Sequence, residues 1–450
     1  MKKVLVLGCN NVTKRLVEEL CRDASIVTDI CIADVDKQMA NDIKNQVMPD
    51  RVRITTAGVD VLNEERTLLM FNIFGPELII NMMPLELSDV IMKLAVKVKA
   101  NYLDLRLDAG GKLTEDGLLS RQFEHFADFR REGLMAIVGT GFFPGAVASI
   151  IKKALSEKYD SLSEVNIVAL AGDINDEDPG SGASDKVKAD KPMLTLRDLK
   201  DEEESRGNAA EFKPHSAEDV FYIKDNKVNY ASPDSDVAVD SFGRTVHLGE
   251  NVIIADIFKE MPEIPSVKFY GKPNSAELVT KQTRQAQIDD MIDTLDRIGL
   301  LSKEPVMYGK NRIIPVDFLK ELLRENEMKN AEKLPSEVPS VSPRADNKGM
   351  ATVEIYLKGK KDGADKKTLY KVSLSNDDAE KRYKTNSEEY FDSCITLAAL
   401  RILCSGKFVR AGVFTLCAFD STAVLDELKK VGLNITVTED KELSRTAGEA

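Results

Sequence analysis

Val4-Leu5-Val6-Leu7-Gly8-Cys9-Asn10-Asn11-Val12-Thr13 sets a short apolar run against a glycine and a polar turn. Such a run is predicted to form a strand buried on both faces of a parallel sheet. Behind it, Val12, Leu16, Val17 and Leu20 recur at helical spacing. Strand, glycine turn and helix, in that order, is where a dinucleotide-binding fold carries G-x-G-x-x-G. Those glycines allow a tight turn and bring backbone N–H groups close to a pyrophosphate. Here Gly8 keeps the first position, Asn10 takes the second and Thr13 the third. Asn reaches positive φ more readily than most residues, so the turn itself survives. The Asn10 side chain is expected to crowd a diphosphate, and Thr13 to separate helix from strand. Gly8, Asn10, Asn11 and Val12 are the candidate cofactor loop.

Working outward, Ile30-Cys31-Ile32-Ala33 is a second apolar run and ends at Asp34. An acid there either accepts from the ribose hydroxyls, which favours NAD over NADP, or caps the next helix together with Asp36. Lys37 offsets some charge, so NADP stays open. Amphipathic spacing over 36–47, Val52-Arg53-Ile54, Leu78-Ile79-Ile80, Asn101 to Leu105 and Leu134 to Val138 continue the alternation. The expectation is an α/β chain with a Rossmann-like, doubly wound parallel sheet. The turn Asn81-Met82-Met83-Pro84 ends one strand on the ligand-binding edge; Met83 and Pro84 there either flank a nicotinamide ribose or simply start a helix. Gly139-Thr140-Gly141-Phe142-Phe143-Pro144-Gly145 follows another strand, with Gly141 a candidate cofactor contact or part of a hinge.

Further on, residues 173–216 form a polar insertion, either a lid or a surface loop. Residues 252–258 and 267–270 read as strands, 317–328 as a helix, and 331–348 as a linker. Residues 352–357 and 370–374 flank Lys360-Lys361-Asp362-Gly363 as a hairpin. Residues 392–405 and 425–431 read as helices, and 434–437 as a strand.

The 450 residues carry 62 Lys and Arg against 75 Asp and Glu, a net charge of −13. That balance argues against a nucleic-acid or membrane-surface protein, since both need clustered positive charge. Six scattered cysteines and three histidines give no metal-ligand spacing, so no metal site is expected, and the thiols suit a cytoplasmic location.

The ordered set of segments resembles the saccharopine dehydrogenase family, which includes lysine dehydrogenases and carboxynorspermidine synthases. The segments are the first strand and loop, residues 81–104, the 139–145 turn, Val267-Lys268-Phe269-Tyr270-Gly271, Leu295-Asp296-Arg297-Ile298-Gly299-Leu300, residues 353–359 and residues 397–412. The resemblance implies a Rossmann domain over 1–145 plus about 395–450. It also implies a second, mixed-sheet α/β domain over 146–394 that carries the substrate and the contact of a homodimer. NAD or NADP would exchange hydride with the C–N bond of a small amino-acid-derived substrate, lysine-like in several branches, through an imine. Saccharopine-forming members carry an acid directly before the Pro-Gly of the turn; this chain has Phe143. Lys268 stands where the family often has Arg, and is the candidate partner for a substrate carboxylate. Tyr102 and Asp104 remain as candidate proton-transfer groups. The alternative reading is a catalytically degenerate, cofactor-binding relative with a regulatory or scaffolding role.

Overall fold

The computed structural model describes residues 2–22, 27–47, 51–107, 113–114, 117–118, 121–173, 220–249, 251–271, 294–295, 297–308, 311–331, 349–406, 408 and 410–439. β1 (Lys3–Leu7), α1 (Asn11–Arg22), β2 (Asp29–Asp34), α2 (Lys37–Gln46), β3 (Arg53–Gly58), α3 (Glu64–Phe74), β4 (Leu78–Asn81), α4 (Ser88–Lys97) and β5 (Asn101–Asp104) alternate along the chain. Two short strands, β6 (Leu113–Thr114) and β7 (Gly117–Leu118), and short helices α5 (Arg121–Glu124) and α6 (Phe126–Arg131) lead to β8 (Met135–Ile137). α7 (Gly145–Lys158) then enters β9 (Ser161–Asp173), followed by β10 (Val220–Lys224), β11 (Lys227–Ala231), β12 (Val237–Val239) and β13 (Thr245–Gly249). Next come α8 (Val252–Glu260), β14 (Ser266–Gly271), β15 (Val306–Tyr308), β16 (Asn311–Ile313), α9 (Pro315–Ala331), β17 (Gly349–Lys361) and β18 (Ala364–Ser375). α10 (Asn376–Tyr383), α11 (Ser387–Cys404), β19 (Gly412–Phe414), α12 (Ser421–Lys430) and β20 (Thr436–Glu439) close the described chain.

The first sheet runs β19-β8-β5-β4-β1-β2-β3, with every neighbouring pair parallel. Val4 to Leu7 are wholly buried, as a strand covered on both faces requires. Chain order reverses between β1 and β4, so their carboxyl ends flank the crevice where open α/β sheets bind ligands. The second sheet is mixed, in the order β11-β10-β14-β9-β17-β18-β20, with β13 beside β14 and β12 beside β13. Asp362 and Gly363 take the positive φ values that a two-residue hairpin between β17 and β18 needs. These results establish the mixed α/β class and the Rossmann-like sheet.

Two local readings change. Residues 252–258 are helical, within α8. Asn251 caps that helix by accepting from the Ile253 N–H at 2.9 Å, and Ile253, Ile254, Ala255 and Ile257 are all buried. A short run buried on most sides carries no period that separates helix from strand. α11 starts at Ser387, five residues before its apolar run suggests, because Asn386 and Glu389 form a capping box. β19 lies beside β8, whereas β20 pairs with β18 in the mixed sheet.

By its internal contacts the chain forms two compact units: Met1–Asn175 with Val220–Lys272 and Val341–Ala450, and Asp176–Asp219 with Pro273–Ser340. Both large sheets belong to the first. The second contains the β15–β16 hairpin and α9. Beyond Asp173, the polar insertion lies outside the described residues. No helix among the described residues is long and apolar enough to cross a membrane.

Candidate active site

The β1–α1 loop is closed by its side chains. Gly8 sits at φ +93°, and a Cβ there would lie 2.8 Å from the Met82 carbonyl carbon and 2.9 Å from the Met83 nitrogen. Only glycine fits both the angle and the space. The Asn10 carboxamide oxygen accepts from the Thr13 N–H at 2.8 Å, and the Thr13 hydroxyl donates to the Gly8 carbonyl at 2.8 Å. Asn10 is thus the N-cap of α1. Its amide nitrogen lies 3.4 Å from the Met82 carbonyl, which draws the side chain down onto the loop. The two residues that replace the motif's glycines have become a cap and a tie. Asn10→Ala is expected to lower stability by about 1 kcal/mol and Asn10→Gly by only ~0.3 kcal/mol. Urea unfolding of the two variants checks this; equal losses would deny the cap.

Asp34 ends β2 beside this loop. Its two oxygens accept from the Cys9 N–H at 2.7 Å and the Asp36 N–H at 3.0 Å. Asp36, not Asp34, caps α2, by accepting from the Gln38 N–H. Asn11 reaches across to α11, donating to Glu389 at 3.0 Å. The N-termini of α1 and α11 therefore meet at the same sheet edge.

The turn after β4 is held from beneath. The Asn81 carboxamide oxygen accepts from the Met83 N–H at 3.0 Å. Asp104 accepts from the Tyr102 hydroxyl at 2.6 Å, the Ser88 hydroxyl at 2.7 Å, the Gln122 amide at 2.9 Å and the Asn81 amide at 3.1 Å. Its other oxygen accepts from the Arg106 N–H at 3.0 Å. Tyr102 is 0% exposed and Asp104 1%. Burial pushes both groups upward, opposed at Asp104 by the donors around it. Met82 and Met83 are buried above this network, and Pro84 is exposed.

The turn after β8 is built on glycine. Gly139 has φ +66°, and a Cβ there would meet Pro144 at 2.8 Å. Gly141 donates its N–H to the Leu105 carbonyl at 2.7 Å. A Cβ on Gly141 would lie 3.1 Å from an Asp392 oxygen. Asp392, on α11, accepts from the Phe142 N–H at 2.8 Å. Sequence reading missed this residue. Phe142 stacks on Phe391 (4.8 Å, 20°), and Phe143 lies edge-on to both Phe142 and Phe269, at 5.1 and 5.5 Å. This aromatic row joins α11, the turn and β14.

Alternate residues of a strand face opposite sides of its sheet. Phe269 packs against Phe143, so Lys268 and Tyr270 lie on the other face. Lys268 donates to Asp236 at 2.6 Å, and the Tyr270 hydroxyl reaches the same carboxylate at 3.1 Å. Lys268 is therefore not brought to the turn. His125 and His247 pair with Asp89 and Asp234, each within 2.8 Å, and neither meets the loops above.

Among the candidates, Gly8, Asn10, Asn11, Val12, Asp34, Met83, Pro84 and Gly141 come together along one carboxyl edge. The first-turn N–H groups of Asn11 and Val12 have no acceptor within their helix. With Asn10 tied down, they fit a dinucleotide phosphate at a helix N-terminus. This fold and edge are those of a Rossmann-type sheet with a place for a dinucleotide.

Residues 4–137 match the family model described as the saccharopine dehydrogenase NADP binding domain. The carboxyaminopropylagmatine dehydrogenase of Synechocystis sp. is 23% identical over 96% of each chain. The carboxynorspermidine synthase of Vibrio alginolyticus is 19% identical over 97% of each. The apo saccharopine dehydrogenase (L-Glu forming) of Saccharomyces cerevisiae shares the fold, with a TM-score of 0.60 at 11% identity, over 98% of this chain and 100% of that one. Residues 4–137 thus match a saccharopine dehydrogenase NADP binding domain, and the chain is an NAD(P)-dependent oxidoreductase similar along its whole length to these enzymes.

Proposed function

We propose that the chain makes or breaks the C–N bond of a carboxyalkyl amine of polyamine type, through an imine, with NAD or NADP as hydride partner. One observation carries this reading: three loops meet at one sheet edge in a chain matched end to end by relatives named for such amines. Those names favour a polyamine-type substrate over lysine. When bound, the cofactor supplies or removes hydride. The chain's own work is to bind and orient. Gly8 gives the close approach, Asn11 and Val12 hold phosphate, Asp34 meets the adenosine ribose, and Met83, Pro84 and Gly141 border the nicotinamide end. The aromatic row shields that end from water. Tyr102 and Asp104 position the Asn81 turn and do not exchange the reaction's proton. Lys268 is left out as a carboxylate anchor, since it faces away and is already paired.

The same reading takes the chain as a cytoplasmic homodimer acting on a small molecule. It keeps the division at 145 and about 395, with β20 assigned to the mixed-sheet domain. A cofactor-binding scaffold without turnover is the second reading, favoured by Phe143 in place of an acid. Titration with NADH and NADPH, followed by nicotinamide fluorescence, separates them when paired with oxidation of carboxynorspermidine and carboxyaminopropylagmatine. Saturable binding with turnover supports the enzyme; binding with neither substrate oxidised supports the scaffold. No binding at millimolar cofactor overturns the site.

Asp34 sets cofactor choice in this reading, because its charge opposes a 2′-phosphate. Asp34→Asn is expected to raise the NADPH-to-NADH affinity ratio about tenfold, or ~1.4 kcal/mol. Asn keeps one acceptor for the loop, so any loss of loop order weakens both cofactors alike. An unchanged ratio would remove Asp34 from the ribose.

A further inference from the structure

Asp392 breaks the pattern of its helix. From Tyr390 to Leu400 it is the one residue that keeps partial exposure, within a run that is otherwise buried. One of its oxygens is fixed on the Phe142 N–H at 2.8 Å. Among the described residues, no donor hydrogen-bonds its other oxygen. Gly141 leaves it room, since a side chain at that position would meet the fixed oxygen. The turn itself brings no titratable side chain, because Phe142 and Phe143 fill its tip. Tyr102 and Asp104 are enclosed, and the described histidines are paired elsewhere.

We propose that Asp392 is the catalytic proton carrier for the substrate's C–N centre, delivered to the turn from α11. The inference rests on the amine reading above. In the forming direction, addition of an amine to a carbonyl carbon gives a carbinolamine. Asp392 gives its carboxyl proton to the carbinolamine hydroxyl. The C–O bond breaks, water leaves, and the nitrogen lone pair becomes the second C–N bond of an iminium. The carboxylate regains, through solvent, the proton that the substrate ammonium releases before it adds to the carbonyl carbon. In the reverse direction the carboxylate takes a proton from the water that attacks the iminium carbon.

The surroundings suit both forms of the group near neutral pH. Burial pushes the carboxyl up to about 6; the Phe142 N–H opposes the rise, Glu388 adds to it, Arg106 opposes it and Glu389 adds to it. Glu388 and Glu389 lie on the same helix, and Arg106 follows β5. A group that titrates near the working pH is the better general acid and base.

The test uses the full chain and three variants. Asp392→Asn keeps an acceptor for the Phe142 N–H but carries no acidic proton; Asp392→Glu keeps the acid at a changed reach; Asp392→Leu keeps neither. NADPH affinity, by fluorescence, is expected to stay within threefold in the Asn and Glu variants. Oxidation of carboxynorspermidine with NADP at pH 7 is expected to lose about 10²- to 10⁴-fold in kcat in Asp392→Asn, with KM little changed. Asp392→Glu is expected to recover at least a tenth of the wild-type kcat, and the limb near pH 6 in the kcat profile is expected to vanish in Asp392→Asn. Retention of kcat within fivefold in Asp392→Asn overturns the proposal alone. So does a loss matched by an equal loss in NADPH affinity. A wild type that binds NADPH and oxidises neither amine overturns the amine reading and this role with it.

Discussion

Asp256→Asn stabilises the folded chain at pH 8 by on the order of 4 kcal/mol, and the gain disappears as pH falls toward 4. Asp256 is 3% exposed on α8. One oxygen accepts from the Thr415 hydroxyl at 2.8 Å, and among the described residues the other has no hydrogen-bond partner. Burial pushes its carboxyl up to about 7; Thr415 opposes the rise, Glu260 adds to it, and Lys259 and Lys152 oppose it. An unfolded Asp releases its proton near pH 3.9. Between that pH and about 7 the folded chain holds a proton that the unfolded chain has lost. Stability therefore falls as pH rises through this window, then levels off. Asn carries no such proton and can still accept from Thr415. Urea unfolding of both proteins at half-unit steps from pH 4.5 to 8.5 is the measurement. Two parallel stability curves would show that Asp256 ionises freely in the folded chain.

What the sequence makes legible here is local. Val4 to Leu7, Gly8 and the helical spacing behind them belong to one uninterrupted stretch, and they place the sheet and its ligand edge together. The same holds for Asp34 and for the Asp362-Gly363 hairpin. Losses come where partners are far apart in the chain. Asp392 is 250 positions from Phe142, and Glu389 is 378 from Asn11. No pattern within either segment signals those contacts. Lys268 shows a different limit. Its residue type suits a carboxylate partner, but only the packing of Phe269 tells which face of the strand it occupies. Asn10 and Thr13 read as damage to a glycine motif. Their hydrogen bonds show a substitution that closes the same loop by other means. α8 was misread because a segment buried on most sides shows no amphipathic period.

Asp104→Ala is expected to cost several kcal/mol, roughly 3–5 by analogy with breaking a buried charged pair, and to loosen the cofactor edge as well. The side chain satisfies four buried side-chain donors and one backbone N–H. Alanine leaves all five without that acceptor, in a space that water does not reach. The consequences run through Asn81. Its amide faces Asp104 while its oxygen holds the Met83 N–H, so freeing one end frees the turn that borders Gly8. Stability and NADPH affinity should therefore fall together in this variant. Single-donor changes separate the network from burial in general. Ser88→Ala removes one donor and leaves Asp104 with the rest, so about 1 kcal/mol is expected. Tyr102→Phe should likewise cost about 1 kcal/mol and leave kcat within fivefold. A large drop in kcat for Tyr102→Phe, with stability and NADPH affinity intact, would return Tyr102 to the proton-transfer step and take Asp104 with it.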